Sequence, residues 1–198
     1  DWSSDVCSSD LIFNTAPIDK NIDIFIKTPG GSITCVKMIV DIICKYKKQN
    51  TNCKVSVFVL NNAFSGGTLL MMLADELHVS NYAHFSPIDV QLSSMFDSHS
   101  KSEYEHLMLT KGIKTDDTNI MATHSAKKAH ILLEEIVNKA IESSKKFNTE
   151  EFKEKCKNLM TGEILHSHVI SFDDSENYGF KPDSIIDQKL WVKIQTMF

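Results

Sequence analysis

The 198-residue chain is poor in backbone punctuation, with only 7 Gly and 4 Pro, which excludes collagen-like and low-complexity architectures. No run of about 18 apolar residues occurs, so no stretch present reads as a membrane-crossing helix. Cationic excess is missing as well. Lys plus Arg number 21 against 26 Asp plus Glu, a net charge of -5, so no basic surface points to nucleic acid or anionic lipid as a partner. Cys7, Cys35, Cys44, Cys53 and Cys156 contain no C-x-x-C pair. That spacing argues against a zinc site or a disulfide framework, and we expect reduced, mostly buried thiols with no metal and no cofactor. Neither G-x-G-x-x-G nor G-x-x-x-x-G-K-S/T is found, which disfavours a phosphate-binding loop. What remains, 42% hydrophobic and 24% charged residues, is the balance of one ordinary globular domain.

The first eleven residues, DWSSDVCSSDL, lack both period-2 and period-3.6 patterning. Back-translated, they spell a common sequencing-adapter oligonucleotide, so we read Asp1 to Leu11 as a non-native, adapter-derived segment and set it aside. The natural chain is then expected to start near Ile12, truncated at its N-terminus. Without Asp1, Asp5 and Asp10 the net charge of -5 moves to -2. An anchor or leader would have been lost with the missing segment, which leaves membrane association and compartment open.

No internal repeat appears, and strand and helix periodicities alternate. Ile22 to Ile26 is an apolar run stopped by Thr28-Pro29-Gly30-Gly31, a buried strand ending in a turn. Ser32 or Thr34 can cap the helix that follows, with Ile33, Val36, Val40, Ile43 and Tyr46 on one face. Val55 to Leu60 is the next strand; it runs into Asn61-Asn62-Ala63-Phe64-Ser65-Gly66-Gly67. Thr68 to Ala74 reads as helix, Leu77 to Val79 as strand, and about Ile120 to Lys146 as a long helix with Ala122, Ala126, Ala129, Leu133, Ile136 and Ala140 on one side. Segment 93 to 118 reads either as a lid or as a variable surface helix. The boundaries expected are a domain over 12 to 182 and a tail over 183 to 198.

A strand, helix and parallel strand form a right-handed βαβ unit whose two strands end at one edge. The Gly30-Gly31 turn and the Ser65-Gly66 turn should therefore face each other where open α/β sheets place their sites. Glycines admit close backbone approach, and a serine opening a helix sits at the positive end of a dipole. Either turn alone is most often plain structure; their joint occurrence one unit apart is the functional signal.

TPGG at 28 to 31, AFSGGTLLMMLADELHVS at 63 to 80 and SPIDVQL at 86 to 92 together resemble the serine dehydrogenase proteinase (SDH proteinase) family of the Clp-protease/crotonase superfamily, related to signal peptide peptidase A. Ala126-Lys127-Lys128-Ala129 is similar to the family's A-R-K-A, and Leu159-Met160-Thr161-Gly162 with His166 is similar to its L-x-S/T-G-x-x-x-H. Asn177-Tyr178-Gly179-Phe180 is similar to its L-G-L close. The resemblance implies an α/β fold, a Clp/crotonase-like spiral of ββα units, and a serine peptidase acting on a peptide or protein substrate as a homo-oligomer. On this chain Ser65 would be the nucleophile, Gly31 and Gly66 the oxyanion hole, and Gly30 part of the substrate-binding edge.

The general base is the departure from pattern. Where the Clp proteolytic subunit has its His, this chain reads Pro87-Ile88-Asp89-Val90-Gln91; the signal-peptidase-like relatives use a Ser-Lys dyad, and the resemblance of A-K-K-A to their pattern implies Lys128 as the base. Lys127, Lys114, His84, His99, His124 and His130 are the other candidates. His166 would orient a catalytic group or end a core element, and Asp89 is read as structural. Three further readings stay open: an α/β-hydrolase esterase, since Ala63-x-Ser65-x-Gly67 is one residue from G-x-S-x-G; a crotonase-type acyl-CoA enzyme; and a catalytically inactive scaffold that binds peptides.

Overall fold

The computed structural model describes residues 20–93 and 98–196. The segment 1–11, read as adapter-derived, lies outside the described residues. Strand β1 (Ile22–Thr28) leads through helix α1 (Ile33–Gln49) to β2 (Val55–Ala63), and the two strands pair in parallel from Ile22↔Val55 onward. This is the βαβ unit expected. Helix α1 starts where it does because Ser32 accepts a hydrogen bond from Thr34 N–H, and it buries Val36, Val40, Ile43, Cys44 and Tyr46 against the sheet. Each such side chain contributes about 1.5–3 kcal/mol of burial.

Strand β2 is longer than its apolar run predicted, and the extra length curls the sheet. Its first half pairs in parallel with β3 (Glu76–Ser80), over Ser56↔Glu76 to Val59↔Val79. Its last residues pair instead with β4 (His84–Phe85), as Asn62↔His84 and Ala63↔Phe85. At the change of partner the buried Ser80 hydroxyl donates to the Leu60 carbonyl. A two-residue β7 (Ile170–Ser171) runs antiparallel to β4. The stretch expected as a tail over 183 to 198 carries, among its described residues, a strand and a helix. There β8 (Ser184–Ile186) pairs in parallel with β3, and α6 (Gln188–Gln195) sets Trp191 against the small cluster of Leu60 and Ile186. Lys181, Pro182 and Asp183 separate β8 from Phe180, and that short strand has only one buried side chain, so its period was invisible.

Helix α2 (Gly66–Met71) follows β2 directly. The long helix α4 (Asp117–Ser143) buries Thr123, Ala126, Leu133, Ile136, Val137, Ala140 and Ile141. It begins three residues before the sequence predicted because Asp116 caps it, accepting from Asn119 N–H. It ends at Ser144, whose hydroxyl turns away to the Ala74 carbonyl. Segment 93–118, read as lid or surface helix, holds α3 (Lys101–Lys111), closed at its start by a Ser100–Glu103 capping box, after a short β5 (Leu92–Ser93) and β6 (Ser98–His99) pair. Helix α5 (Glu150–Cys156) follows, and a 3-10 turn over Phe172–Tyr178 leads toward β8. The architecture is mixed α/β with a curled sheet covered by α1 and α4, consistent with a Clp-like spiral.

Candidate active site

Both glycine turns lie at the carboxyl ends of β1 and β2, and hydrogen bonds stitch them together. Thr28 C=O accepts from Asn62 Nδ2 at 2.7 Å and from Phe64 N–H at 3.1 Å, while Thr28 Oγ1 accepts from Gly30 N–H at 3.1 Å. Gly30 has φ 114°, and a Cβ placed there would stand 2.9 Å from the Ser65 Cβ. No larger residue fits that contact or that conformation. Gly66 is equally confined, since a Cβ on it would meet Val36 Cγ2 at 2.5 Å and lie 3.7 Å from the Gly31 nitrogen.

Ser65 is the one non-glycine residue with positive φ among the described residues, at φ 49° and ψ -113°. The strain is that of a sharp strand-to-helix turn that lifts a side chain off the sheet end. Although Ser65 occupies the cap position of α2, its hydroxyl makes no capping bond. The hydroxyl is thus withheld from the helix and left for the cleft. Among the described residues neither Gly31 N–H nor Gly66 N–H has an acceptor.

Ser65, Gly30, Gly31 and Gly66 border a cleft of about 460 Å³. Its walls come from α1 (Ile33, Val36), α2 (Leu69), the segment Ile88 to Leu92, and α4 (Ala129, Leu133). Asp89 and His166 line the same cleft. The Asp89 carboxylate is 3% exposed; one oxygen lies 2.8 Å from His166 Nδ1, and the other accepts from Gln91 Nε2. Two further contacts place this pair. Ile88 N–H donates to the Leu159 carbonyl at 2.8 Å. Ser102 Oγ donates to the Gly162 carbonyl at 2.8 Å, and Gly162, at φ 75°, packs so tightly on Ser100 that a Cβ would come within 2.7 Å of it. The segment leading to His166 is therefore held both beside Asp89, at Ile88, and at the start of α3.

Of the residues singled out in sequence, the structure brings Ser65, Gly30, Gly31 and Gly66 to one cleft and leaves Lys128 out of it. Lys128 is exposed on α4, and its neighbour Ala129 takes the position facing the cleft. Successive residues point about 100° apart around a helix, so both cannot face inward. Lys127 is exposed and stands 3.8 Å from Glu105, and Lys114 is exposed. His84, His99, His124 and His130 are absent from the cleft lining, leaving His166 as the histidine there. What sequence reasoning missed is the contact between Asp89 and His166. Its signal was the joint presence of SPIDVQL and the Gly162 to His166 spacing, read one at a time. Burial pushes the Cys53 thiol up and the Cys156 thiol to about 11, which keeps both protonated.

A family model described as ClpP-like SDH-type serine proteinase matches residues 9–196 of the chain. Two proteins of Methanocaldococcus jannaschii, both named as uncharacterized, are similar along most of it. MJ0137 is 26% identical over 186 residues, covering 91% of this chain and 59% of its own length. MJ1495 is 26% identical over 175 residues, covering 88% and 56% respectively. The chain thus spans less than three fifths of the length of these relatives.

Proposed function

The chain belongs to the ClpP-like SDH-type serine proteinase family, and from that premise we propose that it hydrolyses peptide bonds through an acyl-enzyme on Ser65, with His166 as general base and Asp89 as the group that orients it. The observation that carries this reading is the single cleft shared by a strained serine, two acceptor-free N–H groups and a histidine–carboxylate pair. Asp89 takes the Nδ1 side of the ring at 2.8 Å, which fixes the tautomer with hydrogen on Nδ1 and leaves Nε2 as the acceptor.

The steps follow from that arrangement. The Ser65 hydroxyl proton passes to His166 Nε2 as Oγ bonds to the scissile carbonyl carbon. The negative charge that develops on the carbonyl oxygen is met by Gly31 and Gly66 N–H, and each such donor is worth about 3 kcal/mol in the transition state. The C–N bond then breaks and the departing amine takes the proton from His166. A water, deprotonated by the same nitrogen, releases the acid and restores Ser65. The substrate strand lies along Gly30 and Gly31, extending the sheet at the β1 edge. Assembly into a homo-oligomer belongs to the same proposal. The Lys128 base that the sequence suggested is replaced in it by His166, because Lys128 faces solvent.

The test is fluorophosphonate labelling of the chain with the adduct located by mass spectrometry, followed by peptide turnover. Labelling on Ser65 is expected. Ser65→Ala should abolish it, and Asp89→Asn should lower kcat by about 10⁴-fold by holding the wrong tautomer. An adduct on another residue, or full activity in His166→Gln, overturns the assignment.

A further inference from the structure

Resting on that reading of Ser65, we propose that Ser86 and Thr68 are positioning residues that hold the nucleophile in its strained conformation and tie it to the segment bearing Asp89. Both are buried, Thr68 at 0% and Ser86 at 4% exposure. Ser86 Oγ accepts from Ser65 N–H at 2.8 Å and donates to the Pro87 carbonyl at 3.2 Å. Thr68 Oγ1 accepts from Ser86 N–H at 3.2 Å and has two carbonyls in reach for its one hydrogen, Ala63 at 2.6 Å and Ser86 at 2.8 Å. These two hydroxyls therefore bridge three pieces of chain: the end of β2, the first turn of α2 and the loop leading to Asp89.

The clip has two consequences for the reaction. A backbone at φ 49° and ψ -113° relaxes unless its surroundings fix it, and the hydrogen bond from Ser65 N–H to Ser86 is the direct restraint on that residue. The same bond turns Ser65 N–H away from the cleft, so that the donors left for the carbonyl oxygen are those of Gly31 and Gly66. A buried serine three residues before Asp89 would otherwise have no reason to face the nucleophile.

The test uses the full chain in four forms: unaltered, Ser86→Ala, Thr68→Val and Thr68→Ser. Two quantities are read, the rate constant for fluorophosphonate acylation per labelled site and the hydrogen-exchange protection of the Ser65 amide. Ser86→Ala should slow acylation by about 10- to 100-fold, the penalty of a small misplacement, with the final extent of labelling unchanged and the Ser65 amide deprotected. Thr68→Val keeps the volume and loses the hydroxyl, so it should slow acylation too. Thr68→Ser keeps the hydroxyl and loses a methyl, so it should react within about threefold of the unaltered chain, since a single lost methyl acts on packing. A packing role alone would reverse that order. Acylation of Ser86→Ala at the unaltered rate, or an unchanged Ser65 amide, overturns the clip. If the unaltered chain takes no label, the peptidase reading falls, and the exchange result alone then decides whether the clip exists.

Discussion

The two ends of β2 are built on opposite principles. At the amino end a buried carboxylate, Asp75, is bonded from several sides. Val55 N–H and Lys145 N–H donate to the two oxygens of Asp75 at 2.9 and 2.7 Å, Lys47 Nζ reaches both oxygens at 2.9 and 2.8 Å, and Asp75 N–H returns a bond to the Val55 carbonyl at 2.7 Å. Asp75 is 2% exposed and Lys47 9% at the side chain. At the carboxyl end of this nine-residue strand, where the turn after β1 lies against it, the Gly31 and Gly66 N–H groups lack acceptors among the described residues and one serine sits in a strained conformation. Strain at a functional site persists only where the rest of the structure over-determines it. The saturated end, together with the apolar stripe of α1, fixes the strand so that the strained end can stay unsatisfied.

Removing the carboxylate at the saturated end breaks this comparison most severely. Asp75→Ala leaves Lys47 charged, nearly buried and alone, along with two N–H groups, and should lower stability by about 3–5 kcal/mol. Urea unfolding would show it as a shifted midpoint, and a loss below about 1 kcal/mol would mean that the network does not anchor the strand. At the other end the sign should reverse. Ser65→Gly removes the nucleophile but also the cost of positive φ, offset in part by glycine's freedom in the unfolded chain, for a net gain of about 1 kcal/mol. A destabilised Ser65→Gly protein would show that the serine carries no strain.

A smaller effect concerns acid. Burial pushes the Asp183 carboxyl upward, but hydrogen bonds from Lys146 Nζ and from Leu77 N–H, with the Lys146 charge, outweigh it and leave the group below its ordinary value. The depressed group favours the folded chain fully above the ordinary aspartate range, and that contribution fades as pH falls through the folded value. Asp183→Asn should therefore flatten the stability profile below about pH 4. Because the carboxyl is 40% exposed, the change should stay under about 1 kcal/mol. An unaltered slope in that range removes Asp183 from the account of acid stability.

Much of this was readable from residues alone, for definite reasons. The βαβ unit was legible because Val36, Val40 and Ile43 keep helical spacing between two apolar runs, and handedness then brings TPGG and Ser65-Gly66 together without further information. The extension of β2 to Ala63 was not, since Asn61 and Asn62 look like a turn, and the strand continues there through the pairing of Asn62 and Ala63 with β4 and of Ala63 with Thr28 of β1. The Asp89–His166 pair was hidden for a similar reason. Its partners are 77 residues apart, and no local period links them. Ser86 lay inside a motif already noticed, but its role depends on a hydroxyl facing Ser65 across the turn. Residues 183–198 read as a tail because a three-residue strand is too short to show alternation.

The smallest expected effect discriminates between the two histories of the site. Lys128 and Ala129 are adjacent on α4, and the helix turns only one of them inward; the one it turns inward is the alanine. If the catalytic base came from this helix, as the A-K-K-A match suggested, Lys128→Ala would cost orders of magnitude, as losing any member of a dyad does. With Lys128 in solvent and His166 against Asp89, the substitution should behave as a surface change, within about 0.5 kcal/mol, or roughly twofold in kcat. Measuring Lys128→Ala beside His166→Gln with one peptide substrate reads both sides at once. A large loss in the first with none in the second would move the base to α4, and with it the proposal that the cleft's charge chemistry is confined to the sheet end and the loops docked on it.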